Sequence, residues 1–145
     1  MKQIFTRLFA SIAIAALAGC MAVTTISSSQ PDVVISIQDK SYRKTPVTDE
    51  FAQTTFDNYE FQATKPGREP FYGILPLRFN SGFLIMDILL FAPLTFFNLR
   101  QVYPYYQFEI ERKVLLFKDK EVDAWQEFRP TQAEAARGRD YFRGR

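Results

Sequence analysis

Short runs of alternating or clustered apolar residues recur along the chain and predict a mainly β protein. Residues 33–38 are dense in valine and isoleucine, which is typical of a strand. Residues 58–64 and 105–111 alternate apolar with polar side chains, the period-two pattern of a half-buried strand. Residues 114–118 are mostly apolar and predict a fourth strand. The sequence therefore predicts at least four strands.

The connections between these strands contain residues that favour turns. Pro46 lacks an amide donor and has a fixed φ, so we expect it at a turn or beside an edge strand. Arg112 and Lys113 separate the last two predicted strands and predict an antiparallel hairpin, although they lack the Asn-Gly chemistry that tight hairpins prefer.

The C-terminal segment 119–145 is polar and rich in arginine. Trp125 and Phe128 are candidate anchors of this segment onto the domain. Thr131 is suited to begin a helix and Gly138 to end it. The arginines could contact anionic lipid, lipopolysaccharide or cell-wall carboxylates. We expect instead a frayed, solvated end, as chain termini usually are.

The apolar segment 82–97 interrupts the β pattern. Its core runs for 15 residues from Phe83 to Phe97, whereas a membrane-spanning helix needs about 20 apolar residues. Asp87 within it and Pro93 near its end also disfavour a span. The segment predicts a short helix, which either packs against the sheet or lies in the lipid surface.

Asp87 needs a partner, because a carboxylate buried among apolar residues must be paired, hydrogen-bonded or neutral. Arg78 and Arg100 bracket the apolar segment and are the natural candidates. We expect a structural role for Asp87, either in a buried ion pair with one of these arginines or as a helix cap. The alternative is a functional acid that responds to protons or to a ligand.

Together these elements predict an α+β fold that is mainly β. We expect a small antiparallel sheet or sandwich with one hydrophobic helical insertion and a weak C-terminal helix. The β-rich domain covers residues 33–118, with the insertion at 82–97 and the polar tail at 119–145.

The N-terminal residues 1–19 have the composition of a secretory signal peptide. Lys2 and Arg7 precede an apolar run, and small residues then precede Cys20, the only cysteine in the chain. The alternative interpretation is an ordinary export signal, or a transmembrane anchor, in which the cysteine occurs by chance.

Residues 17–20 read Leu-Ala-Gly-Cys and resemble the lipobox of bacterial lipoproteins. The resemblance implies a diacylglyceryl group on the sulfur of Cys20, cleavage just before it, and further acylation, with palmitate as a typical chain. Met21, where an inner-membrane lipoprotein typically has Asp, implies the outer membrane, facing the periplasm. Residues 20–32 would then form either a tether or a first strand.

Residues 26–39 and 44–47 resemble the PEGA-type β-domain of envelope proteins. The first reads Ile-Ser-Ser-Ser-Gln-Pro-Asp-Val-Val-Ile-Ser-Ile-Gln-Asp, and the second Lys-Thr-Pro-Val. Residues 59–67 are similar to the strand and turn that close such a module. Asp32 stands where the family has the Gly of a Gly-Ala pair, and Gln38-Asp39 where it has Asp-Gly. The resemblance covers about residues 24–70 and implies a structural or binding module.

Charge and composition exclude several classes of function. The chain has 18 Lys and Arg against 16 Asp and Glu, and removal of Lys2 and Arg7 with the signal leaves 16 of each sign. A neutral protein lacks the basic footprint of nucleic-acid binding, so no nucleic-acid partner is expected. The chain has no histidine, which removes histidine-based triads and the commonest metal ligand. We expect no cofactor and no metal site.

Glu109 and Glu111 lie on one face of the strand predicted at 105–111. Paired carboxylates serve glycoside hydrolysis, but a solvated sheet face explains this spacing more simply.

The function expected from sequence is that of a lipid-anchored bacterial envelope protein with a structural or binding role, not an enzyme. Its partners would be membrane lipid, through acylated Cys20, and an envelope protein or membrane surface, through Phe83 to Phe97. The alternatives are an accessory subunit of a membrane complex that docks through Gly82 to Phe97, and an envelope hydrolase that works without histidine.

Overall fold

The computed structural model describes residues 21–52, 58–79 and 100–144. These ranges form eleven strands and one helix. The strands of the first two ranges are β1 (Met21–Ser28), β2 (Val34–Ile37), β3 (Lys40–Tyr42), β4 (Val47–Ala52), β5 (Glu60–Thr64), β6 (Phe71–Ile74) and β7 (Leu77–Phe79). The third range contains β8 (Arg100–Val102), β9 (Tyr105–Glu109), β10 (Val114–Lys118), β11 (Gln126–Phe128) and helix α1 (Gln132–Arg143).

The strands form two main sheets and a small two-stranded one. The five-stranded sheet has the order β11-β10-β9-β1-β4, and the four-stranded sheet has the order β3-β2-β5-β6. Strands β7 and β8 pair with each other. The expectation of a mainly β fold with small antiparallel sheets and a C-terminal helix is confirmed.

The four strands predicted from the pattern of apolar residues are present as β2, β5, β9 and β10, with ends that differ from the prediction by at most two residues. The predicted hairpin is also present, since Glu109 lies opposite Val114 across an antiparallel pair. Its turn contains Lys113 at φ 51°, so a lysine adopts the left-handed conformation that asparagine or glycine usually supplies.

Strand β1 occupies most of residues 20–32, for which a tether and a first strand were the two alternatives. It pairs antiparallel with β4 and parallel with β9, so the sheet is not wholly antiparallel. Its serines and threonines strengthen the parallel pair. The hydroxyls of Thr24 and Ser27 donate to the carbonyl oxygens of Tyr103 and Tyr106 at 2.6 and 3.0 Å.

The core lies between the two main sheets and is rich in aromatic rings. Phe61 of β5 is fully buried and meets Phe108 of β9 edge to face, with ring centroids 5.1 Å apart. It meets Phe71 of β6 in the same way at 5.0 Å. These edge-to-face contacts are the favoured geometry of buried aromatic pairs, and the contact between Phe61 and Phe108 joins the two sheets.

Helix α1 packs against β6 and β5. Thr131 begins it as predicted, with a reciprocal capping box to Glu134. The prediction that Gly138 ends the helix is wrong, because α1 continues to Arg143. Gly138 is needed for close approach instead. A Cβ atom there would lie 2.9 Å from the backbone N and O of Gly73.

The expected frayed C-terminal end is also wrong for the described residues. Segment 119–144 contributes β11 to the five-stranded sheet and α1 to the surface of the four-stranded sheet. The periodic pattern of α1 is weak because most of its residues are exposed, which explains why its packing was not anticipated.

The hydrophobic insertion predicted at 82–97 lies outside the described residues. Its flanks are described, however. Phe79 of β7 and Arg100 of β8 lie opposite each other in an antiparallel pair. The described residues on either side of segment 80–99 are therefore neighbours in the fold.

Candidate functional site

Cys20 and Asp87 both lie outside the described residues, so lipidation and the predicted ion pair of Asp87 stay predictions. The two arginines are described. Arg78 lies on β7 and Arg100 on the neighbouring strand β8. Arg78 forms a hydrogen-bonded ion pair with Asp119, a carboxylate that the sequence did not suggest.

The end of β1 nearest to Cys20 is the N-terminal edge of the described fold. Met21, the first described residue, lies opposite Ala52 of β4. Met21 and Val23 are about half exposed, at 48% and 53%. A cleft of about 260 Å³ opens beside Met21, between β4 and the turn that joins β2 to β3. Phe51 and Tyr59 supply most of its aromatic wall, with rings packed edge to face at 5.2 Å.

A polar network next to this cleft links the edge strands β3 and β4. Lys40 Nζ lies 3.0 Å from Asp49 Oδ2, and the hydroxyl of Tyr42 donates to the same oxygen at 2.5 Å. Lys40 also donates to the carbonyl oxygen of Glu50 at 2.7 Å and lies 4.6 Å above the ring of Phe51. The network therefore closes one side of the space between the two main sheets.

This network shifts the titration of its acidic groups. Partial burial opposes ionisation of Asp49. Hydrogen bonds from Tyr42, Lys40 and the backbone of Glu50, together with the positive charge of Lys40, favour the ionised form. These interactions outweigh burial, so the pKa of Asp49 is lowered. Burial, together with the hydrogen bond and charge of Asp49, raises the pKa of Tyr42. The tyrosine therefore stays neutral and acts as a donor. These groups are typical of a structural link, not of a general base.

Two arginines of α1 contact the four-stranded sheet. Arg137 Nε donates to Glu60 Oε1 at 2.8 Å, and the carboxylate side chain is only 6% exposed. The guanidinium of Arg139 lies 5.7 Å from the ring centroid of Tyr72. These two arginines, predicted to lie in a solvated tail, contribute to the packing of the helix.

Glu109 and Glu111 are each engaged by cations. Arg112 Nη1 donates to Glu109 at 2.7 Å, and Glu111 lies 4.0 Å from Lys65 and 3.4 Å from Arg68. Glu109 is the last residue of β9, whereas Glu111 lies in the turn before β10, so Glu111 is not on the strand that was predicted to carry both carboxylates.

Sequence reasoning missed a cation held between aromatic rings. Lys118 is only 9% exposed, and its ammonium lies 5.3 Å from the ring of Tyr105 and 4.6 Å from that of Trp125. It also donates to the carbonyl oxygen of Glu121 at 2.5 Å. Trp125 was predicted as an anchor, and this contact ties the loop before β11 to the sheet.

Comparison with protein-family models, with curated proteins and with solved structures found no match. Among the described ranges, no helix is long and apolar enough to cross a membrane.

Proposed function

We propose that this protein is a bacterial envelope lipoprotein, anchored through lipid on Cys20, whose domain acts by binding or by architecture, not by catalysis. The observation that carries the proposal is the position of β1. Met21 already lies in the strand, directly after the cysteine of the lipobox-like motif. An acylated Cys20 would therefore attach the five-stranded sheet to the membrane without an intervening tether.

The energetics of such an anchor favour permanent attachment. Each buried methylene contributes about 0.8 kcal/mol, and one acyl chain alone binds only marginally. The lipobox resemblance implies three chains, which together hold the protein on the membrane. The exposed side chains of Met21 and Val23 lie within three residues of the anchor, so apolar surface faces the lipid where the sheet begins.

A PEGA-like character of residues 24–70 is part of the same proposal. Asp32, which stands where the family has glycine, has a φ of 59°. Gln38, in the turn that joins β2 to β3, has a φ of 49°. The left-handed backbone at Asp32, where the family has glycine, supports the resemblance, whereas in the second turn the positive φ falls at Gln38, one residue before the position of the family's glycine. The absence of histidine from the sequence supports a non-catalytic role.

The test compares the wild type with Cys20→Ser in a bacterial host, by palmitate labelling and membrane fractionation. We expect a labelled, processed wild type in the outer membrane, and an unlabelled variant that retains its signal. Met21→Leu is the matched control, and Met21→Asp should move the labelled protein to the inner membrane. A labelled Cys20→Ser protein, or an unlabelled wild type, would overturn the lipoprotein proposal.

A second candidate function is that of an accessory subunit docking on a membrane complex through Gly82 to Phe97. The pairing of Phe79 with Arg100 supports this role. An insertion whose two ends are neighbours in the fold can contact a partner without disturbing the sheets.

To test this, residues 82–97 are replaced by a Gly-Ser linker of equal length. After mild solubilisation we expect the wild type to migrate in a large complex on native gels and the variant to migrate at its own mass. The same migration of both proteins would exclude the subunit role.

A further inference from the structure

The large hydrophobic side chains that are exposed come from three separate stretches of the chain. Within the described ranges there are five of them: Met21, Val23, Phe79, Val122 and Trp125. The first two belong to β1 and the third to β7. The last two lie in loop 119–125, which joins β10 to β11, and Val122 is the most exposed of all, at 90%.

Strand β7 brings Phe79 to the Met21 end of β1. The hydroxyl of Thr24 donates to the carbonyl oxygen of Tyr103, and β1 runs parallel to β9. The residues that precede Tyr103 form β8, which therefore runs beside the first residues of β1 and contacts both β1 and β4. Because Phe79 pairs with Arg100 at the start of β8, it lies near the start of β1.

Loop 119–125 lies at the same end of the fold. Strand β10 is antiparallel to β9 and so runs opposite to β1. Its last residue, Lys118, is therefore directed towards the end where Met21 lies. The ion pair between Asp119 and Arg78 places the start of the loop next to β7. The five exposed residues thus share one end of the molecule, and we call them the Met21–Trp125 surface.

Within the described ranges, the opposite end of the fold differs in character. It is formed by the turns that join β1 to β2, β3 to β4, β5 to β6 and β9 to β10. The exposed side chains of these turns are polar or charged, apart from proline and glycine. Single exposed apolar residues are ordinary, but a group of them confined to one end and bordered by polar residues is typical of an interaction surface.

The rest of the chain indicates what covers this surface. Segments 1–20 and 80–99 lie outside the described residues, and both are rich in apolar residues. The first joins the fold at Met21, and the second joins it between Phe79 and Arg100. The apolar sequence outside the described fold therefore meets it at the same end as the exposed apolar side chains. This convergence favours lipid as the partner.

The polar groups of the surface favour neutral lipid. Trp125 lies with its ring 4.6 Å from the ammonium of Lys118, and tryptophan and lysine are both suited to the interface between membrane and water. Loop 119–125 contains one lysine, Lys120, against three carboxylates, those of Asp119, Glu121 and Asp123. An acidic loop is repelled by anionic headgroups, so zwitterionic lipid is the better match.

We propose that the Met21–Trp125 surface lies on the membrane and inserts its apolar side chains among the headgroups of zwitterionic phospholipid. The domain would then stand upright, with the turn between β1 and β2 directed away from the bilayer. The choice of lipid rests on the proposed anchor at Cys20, whereas the grouping of the five residues does not. A lipid on Cys20 keeps the surface at high effective concentration beside the bilayer, so weak contacts suffice.

Fluorescence of Trp125, the only tryptophan in the chain, tests the proposal. The full chain is expressed in a bacterial host, purified in detergent and reconstituted into phosphatidylcholine vesicles with or without brominated phosphatidylcholine. We expect the brominated lipid to quench Trp125. Palmitate labelling of the same sample keeps the two proposals apart. A labelled protein with unquenched Trp125 would overturn the surface and leave the anchor, whereas an unlabelled protein with quenched Trp125 would support the surface and reject the anchor.

Tryptophan at other positions tests the orientation. In a Trp125→Phe background, Phe79→Trp should be quenched, because it lies on the surface but in another element. Ser29→Trp is the matched control at the opposite end, where Ser29 is exposed, and should not be quenched. Equal quenching at positions 29 and 79 would show that the domain has no preferred orientation and would contradict the proposal.

Polar substitutions test whether the apolar side chains themselves bind the lipid. Val23→Thr with Val122→Asn should reduce the quenching of Trp125 about twofold or more, because less apolar area is removed from water. Palmitate labelling and the urea midpoint of unfolding should stay unchanged, since both residues are exposed.

The control for this double variant is Ser29→Asn with Ala133→Asn, which alters exposed positions outside the surface and should leave the quenching as it is. Undiminished quenching in the valine variant would contradict the proposal. A dimer in detergent that the valine variant dissociates, together with unquenched Trp125, would assign the surface to a second copy of this chain and overturn the choice of lipid.

Discussion

Gly138 sets the distance between helix α1 and strand β6. Glycine is costly within a helix and is commonest just beyond its end. Here it lies inside α1 because a Cβ atom would meet the backbone of Gly73 at 2.9 Å. The contact is with backbone atoms, so no flexible side chain can move aside. Gly138 therefore serves the packing of the helix on the sheet.

Gly138→Ala should destabilise the protein, although alanine favours a helix over glycine by about 1 kcal/mol. We expect a net loss of about 1–3 kcal/mol in the free energy of unfolding, because α1 must shift away from β6. Urea unfolding measures it. Gly144→Ala is the control, since its Cβ would meet Asp140 O at an ordinary 3.6 Å. A Gly138→Ala protein as stable as the wild type would contradict the close-approach explanation.

Three turn residues show where local sequence signals mislead. Asp32, Gln38 and Lys113 all have positive φ, and none is the glycine that such turns favour. The hairpin of β9 and β10 was nevertheless predictable from its flanking strands, because the pairing of buried apolar faces fixes the register more strongly than the turn does.

At the scale of elements, the link between β3 and β4 depends on the charge of Asp49. Asp49 accepts from Lys40 and Tyr42 and so joins the edge strands of the two main sheets. Its lowered pKa means that the folded state favours the ionised carboxylate. This contribution is complete above the ordinary pKa of 3.8 and is lost as the pH falls through the lower value in the folded protein.

Asp49→Asn should therefore reduce stability by about 1 kcal/mol at pH 7, a modest amount because the pair is partly solvated. The difference from the wild type should stay constant down to about pH 5 and shrink below the ordinary pKa. Urea unfolding at a series of pH values measures it, with exposed Asp32→Asn as the control. A difference that persists unchanged at the lowest pH would exclude the charge as the cause.

The docking of α1 also depends on the pair between Arg137 and Glu60. Arg137→Met keeps much of the aliphatic stem but leaves the buried carboxylate without its cation. We expect a loss of about 1–3 kcal/mol in unfolding free energy, whereas Arg143→Met should change it by less than about 0.5 kcal/mol. Adding Glu60→Gln to Arg137→Met should recover part of the loss, and purely additive effects would show that the pair is not coupled.

Strands with a clear apolar pattern could be predicted from sequence, and the others could not. Length alone does not decide this, since β4 has six residues but was missed because three polar residues follow one another at positions 48–50. Strands such as β9 and β10 are five residues long, enough for alternation or an apolar run to show. Strands β3, β7, β8 and β11 have three residues each, too few for any period to be recognised. A polar cleft lined by residues 28–33 and 43–45 could not be predicted either, because these two stretches meet only in the folded chain and carry no motif.

At the scale of the whole molecule, Phe61 joins the two main sheets. It touches Phe71 within its own sheet and Phe108 in the opposite sheet. The aromatic content of the sequence predicted a substantial core, but not which ring would lie at its centre. That position follows from the pairing of β5 between β2 and β6.

Phe61→Ala should lower the unfolding free energy by about 3–5 kcal/mol, through lost burial and the cavity left between the sheets. Phe61→Leu keeps most of the volume and should cost less than about 1.5 kcal/mol, so it remains measurable if the alanine variant does not fold. Phe79→Ala is the control, because Phe79 is 58% exposed. Similar losses for Phe61→Leu and Phe79→Ala in urea unfolding would argue against a central role of Phe61.

The parallel pair of β1 and β9 has a consequence for the order of folding. The antiparallel partner of β1, strand β4, lies within about thirty residues along the chain, but Phe108, which pairs with Ser28, lies eighty residues after it. Closing so long a loop slows folding, since its entropic cost precedes the contacts that offset it. Until β9 has paired with β1, the backbone groups on one side of β1 are unpaired, and another chain could bind them. The strand nearest the predicted anchor is thus among the last to be completed, and crowding on a membrane would make that interval the most vulnerable to aggregation.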